Sequence, residues 1–310
     1  LKKLIDRNLL IVIQAPAFSM KSGGIYALHA LAADLHGMGH QVALYSNGTF
    51  PGSPVSLIGE KGLLAARSQG ITIIAIYPEI TLTNFLSADY CVWWLLNFPG
   101  FINKKWNGND SWADRVICYD PVFAMQTRCD GKLTFPLYDP DFFFPNPTVP
   151  KTEVVCYLNR IRYTGQKRLE APVKVTKKLV PDDQLTYAEL RELFWRTRLV
   201  ISWERSGTCA IAQMCGVPIV YMPSPILQEN PDVRWGGYGS CWDYSEEGLA
   251  AATRSVKLVP LIHRDLRLLW PAALEREVAE WVAGAKRKPV QVGATISENV
   301  TLPSSTPPPA

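Results

Sequence analysis

Apolar runs that do not alternate with polar residues recur along the chain: Leu9–Ile13, Ile71–Tyr77, Val92–Leu96, Val154–Leu158, Leu199–Trp203 and Val217–Met222. A strand with one wet face alternates. An unbroken run suits a strand covered on both faces, as in a parallel sheet flanked by helices. Parallel neighbours cannot be joined by tight hairpins and need crossovers of a dozen or more residues, which several of the intervening stretches supply. The chain is therefore predicted to be α/β, built from doubly wound Rossmann-like layers. Its 310 residues, 47% of them hydrophobic, are enough for two such domains.

The segment Leu137–Pro147, with Pro145, Pro147 and then Pro150, is the clearest interruption, because repeated prolines stop both helix and sheet. It divides the chain into an expected first domain over 1–145 and a second over 146–260. A helical stretch over 261–287, carrying Pro271, follows as a separate element. The tail 288–310 is polar and proline-rich and is expected to be disordered.

Several strand ends carry residues suited to ligands. After the first strand come Ser22-Gly23-Gly24 and an apolar stripe of Ile25, Leu28, Leu31, Ala32 and Leu35, so a glycine pair opens a helix. Paired glycines let backbone approach a phosphate or sugar, and a helix N-terminus attracts anions. Glu79, Asn97 and Gly100 follow two further strands, where an acceptor-lining role and a simple Pro-Gly turn capped by Asn97 are both open. Asn159, Arg160, Arg162, Lys167 and Arg168 follow the run ending at Leu158. Such cations can hold a diphosphate, or simply form a solvated basic loop. Leu199–Met222 reads as strand, loop, short helix and strand, with Glu204 at the first strand's end and Ser206-Gly207-Thr208 opening the helix. Glu204 could grip a ligand hydroxyl or merely complement the helix dipole, and Ser206 or Thr208 could merely cap the helix.

Other chemistries lack their signatures. There is no G-x-G-x-x-G after the first strand, no P-loop and no G-x-S-x-G elbow. The four histidines, 29, 36, 40 and 263, have no metal-ligand spacing. The seven cysteines show no C-x-x-C and are read as core thiols in a reducing compartment. A net charge of +4 is too small to argue by itself for nucleic acid, which is not expected as a partner, and is compatible with anionic substrates or an anionic membrane surface.

The wording of three segments resembles glycosyltransferases of the GT-B fold, in particular the family 4-like retaining enzymes of bacterial polysaccharide and O-antigen clusters. These segments are Ile76-Tyr77-Pro78-Glu79-Ile80, Trp94-Leu95-Leu96-Asn97-Phe98-Pro99-Gly100, and Glu204 followed by Cys215-Gly216-Val217-Pro218-Ile219-Val220. The resemblance implies two Rossmann-like domains facing a cleft, with a last helix crossing back to the first domain. It implies transfer of a sugar from a nucleotide-sugar donor to a glycan or lipid-linked acceptor, with retention and without a metal or other cofactor. Glu204 would be the catalytic-site carboxylate on the donor. Arg160, Lys167, Ser206, Gly207 and Thr208 would hold the diphosphate, Gly23 and Gly24 the cleft loop, and Glu79 and Asn97 the acceptor side. A cytoplasmic setting, with peripheral association at the inner membrane face as an option, belongs to the same expectation. One position departs from the pattern: the helix residue where a second Glu is expected is Ile211. A non-enzymatic binding relative or a nucleotide-sugar epimerase of the same fold are the alternatives that this departure keeps open.

Overall fold

The computed structural model describes residues 8–19, 22–102, 104–164, 170–180, 183, 185–227 and 237–288. The chain forms two compact units, one of residues up to Leu137 together with Trp270 onward, the other of Tyr138–Leu269. The boundaries expected at 145/146 and 260/261 both lie within the second unit. Tail residues 289–310 lie outside the described residues.

In the first unit the described residues form a seven-stranded sheet. Its strands are β1 (Leu9–Gln14), β2 (Val42–Tyr45), β3 (Ser56–Leu57), β4 (Thr72–Pro78), β5 (Tyr90–Leu95), β6 (Arg115–Cys118) and β7 (Gly131–Lys132). Their order is β3-β2-β1-β4-β5-β6-β7 and every pairing is parallel. The direction of winding therefore reverses between β1 and β4. The runs at β4 and β5 are buried as their lack of alternation predicts, with Ile73, Ile74, Ala75, Ile76 and Tyr77 fully inside, as are Val92, Trp93 and Trp94. Burying one such aliphatic side chain contributes about 1.5–3 kcal/mol. The two tryptophans bring an N–H into that core and each finds a carbonyl, Pro78 O for Trp93 and Leu133 O for Trp94, both at 3.1 Å.

A repeated device sets the register of this half-sheet. The aspartate immediately before each strand accepts a hydrogen bond from the second residue of the strand before it. Ile73 N donates to Asp89 at 2.7 Å, Cys91 N to Asp114 at 2.8 Å, and Val116 N to Asp130 at 2.7 Å. The acceptors satisfy strand-start N–H groups that the sheet leaves over. The second unit uses Thr176 in the same way, accepting from Val154 N at 2.8 Å before a short strand.

Helix α1 (Gly23–Gly37) follows β1, and Ser22 caps it by accepting from Ile25 N at 3.4 Å. Its Leu28, Leu31, Ala32 and Leu35 are buried, as the periodicity predicts. Helix α2 (Glu60–Ser68) precedes β4.

The second unit's described strands are β8 (Glu153–Tyr157), β9 (Lys177–Leu179), β10 (Thr197–Ser202), β11 (Ile219–Tyr221) and β12 (Ser240–Trp242). They lie in the order β12-β11-β10-β8-β9, all parallel, so this sheet reverses between β8 and β10. Its helices are α3 (Tyr187–Arg196), α4 (Gly207–Met214), α5 (Glu246–Ser255) and the start of α6 (Val259–Arg287). Thr186 and Glu189 form a reciprocal capping box on α3.

Helix α6 runs through Pro271 and passes from one unit to the other at Leu269/Trp270. Its later turns are pinned to the first unit. Trp270 donates to Asp34 at 2.7 Å, and Glu277 accepts twice from the Arg115 guanidinium, at 2.9 and 3.2 Å. Among the described residues no helix is long and apolar enough to cross a membrane.

Candidate functional site

In open parallel sheets the ends of the two strands at which winding reverses diverge and leave a crevice. In the second unit those strands are β8 and β10, and the residues just beyond them are Asn159-Arg160 and Glu204. The structure brings these together. Glu204 is 1% exposed, and its carboxylate accepts four hydrogen bonds. Oε1 receives Asn159 N at 2.6 Å and Ile161 N at 3.4 Å, while Oε2 receives Arg160 N and Arg160 Nε, each at 3.1 Å. A carboxylate has about four acceptor positions, so all of them are engaged.

Glu204, expected as the carboxylate on the donor, folds the 3-10 turn Arg160–Tyr163 against the end of β10 and fixes Arg160. The Arg160 side chain, 39% exposed, also donates from Nη2 to Arg205 O. Of the expected anion-binding residues, Arg160 therefore stands at the crevice with its guanidinium oriented. Lys167 and Arg168 lie outside the described residues, as does Trp235.

Helix α4 begins at Gly207, with Ser206 capping it through Cys209 N at 3.2 Å. Two tyrosines that sequence reasoning did not single out reach this helix start. The phenol of Tyr157, the last residue of β8, lies beside the side chains of Thr208 and Ser206, and burial pushes its pKa up, with those two side chains opposing the shift. The Tyr138 hydroxyl stands where a Cβ on Gly207 would lie, so only glycine admits it. Their signal in the sequence is slight: one ends an apolar run and the other opens the proline-rich segment. Ile211 is 2% exposed and packs inside the unit.

The equivalent position in the first unit is the end of β4, beside β1, and it carries Glu79. This side chain is 5% exposed, and its Oε2 accepts from Leu96 N at 3.3 Å. Burial pushes its pKa up from 4.5 to about 7, with hydrogen bonds from its own backbone and from Leu96 opposing the shift. Asn97 serves its own turn, its Oδ1 accepting from Phe98 N at 2.9 Å, and Gly100 sits at φ +74°, the left-handed region that the turn needs. Gly23 and Gly24 have ordinary helical backbone and room for a Cβ, which would meet Leu137 at 3.4 Å and Leu96 at 3.6 Å. Neither glycine is required by the protein's own packing.

Next to this end of the sheet is an apolar cavity of about 280 Å³ lined by Phe18, Tyr26, Ala30, Phe50 and Pro51. His29 lies under Phe18, ring to ring at 5.3 Å, with Nε2 on Pro16 O at 2.9 Å. Burial lowers its pKa, which keeps the imidazole neutral.

No family model matches the sequence, and no curated protein matches it. Solved structures do. The spinosyn forosaminyltransferase SpnP is similar over 88% of this chain and 99% of its own, with a TM-score of 0.50 at 12% identity. The chain has the GT-B fold. The glycosyltransferase SnogD from Streptomyces nogalater covers 89% of this chain and 99% of its own, with a TM-score of 0.49 at 16% identity. MurG from Acinetobacter baumannii covers 88% and 99%, with a TM-score of 0.43 at 14% identity. At such identities the likeness is one of fold.

Proposed function

We propose that this chain is a glycosyltransferase that binds a nucleotide-sugar donor at the β8/β10 crevice and passes the sugar to a glycan or lipid-linked acceptor. The observation that carries the reading is the oriented Arg160 guanidinium at a winding reversal, held by a buried carboxylate that also fixes the turn beneath it. A guanidinium fixed in this way can meet diphosphate oxygens and stabilise their charge as the sugar leaves, without a metal. Retention of anomeric configuration, as the resemblance implies, is part of the proposal, and so is a location at the cytoplasmic face of a membrane.

On the acceptor side the proposal assigns Glu79. A carboxyl titrating near neutral pH can orient an acceptor hydroxyl and exchange a proton with it. Gly23 and Gly24 leave space at the start of α1 that no protein atom demands.

A second reading has an observation of its own. Tyr157 stands beside Ser206 and Thr208, and Ile211 is buried, which favours a chain that keeps the fold as a binding partner without turnover. Calorimetric titration with uridine, thymidine, guanosine and adenosine diphosphates separates the two. Binding of at least one, weakened tenfold or more in Arg160→Ala, supports the transferase. No heat from any of them supports the non-enzymatic relative.

A further inference from the structure

Six of the cysteines are buried and fit the reading of core thiols; Cys129 does not, because it is exposed. Its sulfur stands 2.9 Å from that of Cys118, the last residue of β6. That separation is only about 0.9 Å beyond a disulfide bond. Both thiols also point at one acceptor, Gly131 O, at 3.6 Å from Cys118 and 3.2 Å from Cys129.

The juxtaposition is built in by the sheet. Cys129 immediately precedes Asp130, which accepts from Val116 N at 2.7 Å, and the following Gly131 and Lys132 pair with Ile117 and Cys118. The aspartate device that sets the register of β6 and β7 thereby delivers one thiol to the other. Arg128 holds the same corner from the other side, through Asp110 and Asp130.

We propose that Cys118 and Cys129 form a reversible disulfide by exchange with a small-molecule disulfide such as oxidised glutathione. The two thiols have different access and so take different parts. Burial pushes the Cys118 thiol up, and its contact with Cys129 adds to this, so the solvent-exposed Cys129 reacts first. The Cys129 thiolate attacks one sulfur of glutathione disulfide and expels one glutathione thiolate, giving a mixed disulfide. Cys118 loses its proton to solvent, attacks the Cys129 sulfur and expels the second glutathione. Two protein thiols are oxidised and one glutathione disulfide is reduced to two thiols. The product closes residues 118–129 into a ring around the 3-10 turn Pro121–Ala124, whose Phe123 packs edge-on against Phe98 at 5.2 Å.

The test incubates the folded full chain with oxidised glutathione, quenches in acid, alkylates in denaturant and maps unreduced peptides. The expected result is loss of two of the seven alkylatable thiols, one Cys118–Cys129 cross-link, its reversal by dithiothreitol, and a higher melting temperature for the oxidised form. Cys118→Ser should instead retain a stable glutathione adduct on Cys129, and the surface variant Cys129→Ser should keep all its remaining thiols. Seven free thiols, a cross-link elsewhere, or a lasting glutathione adduct on Cys129 of the unmutated chain would each overturn the proposal.

Discussion

Glu79 and Glu204 occupy matching places in two sheets. Each stands just past the end of a strand at the reversal of winding, and each is at least nine-tenths buried. Their surroundings differ in the number of donors. Glu204 has three backbone N–H groups and a guanidinium, so its charge is fully compensated. Glu79 has Leu96 N and its own backbone, and burial prevails over them. One fold position thus yields a structural brace in one unit and an ionisable group near neutral pH in the other. What separates them is the next loop: residues 159–161 curl back onto the carboxylate, whereas 96–98 form a turn satisfied by Asn97.

The contrast can be broken by mutation. Glu204→Ala should be the most damaging change, costing about 4 kcal/mol in chemical denaturation, because it removes four hydrogen bonds and leaves Arg160 without its partner. A cost under 1 kcal/mol would deny the brace. Glu79→Gln should act in the opposite sense and depend on pH. The folded pKa of Glu79 lies above its unfolded value, so its contribution is complete below about pH 4.5 and is lost as pH rises towards 7. At pH 8 the amide should therefore be more stable than the unmutated protein by on the order of 2–3 kcal/mol, the difference vanishing at pH 4, while turnover falls at least a hundredfold. A pH-independent difference would remove Glu79 from the titration. Gly207→Ala should cost about 1–3 kcal/mol by forcing Tyr138 aside, and adding Tyr138→Phe should recover part of it. Additive losses would show that the two residues do not meet. Gly24→Ala should change stability by less than about 0.5 kcal/mol, since a Cβ fits there, yet reduce turnover if the α1 start faces a ligand. Unaltered kinetics would make the loop a connection only.

Most of the sheet framework could be read from the chain because it depends on local pattern. The unbroken runs at β1, β4, β5, β8 and β10 are buried strands, and the apolar stripe of α1 faces inward. The short strands β3, β7, β9 and β12 were not legible. Gly131–Lys132 has no apolar run, and its pairing is imposed by Asp130 and by neighbours distant in sequence. The site divided in the same way. That Glu204 and Arg160 lie at strand ends followed from the sequence, but their bond to each other joins residues more than forty apart, which no local pattern announces. Tyr157 and Tyr138 carried no pattern of their own. Nor did the Cys118–Cys129 contact, which needs the register of β6 and the edge strand β7 to be known.

The most direct measurement is a pH titration of the carboxyl carbons of glutamate-labelled protein by NMR, comparing the unmutated chain with Glu79→Gln. One resonance titrating near pH 7, and absent from the variant, is the predicted result. If no resonance that disappears in the variant titrates near pH 7, the account is contradicted.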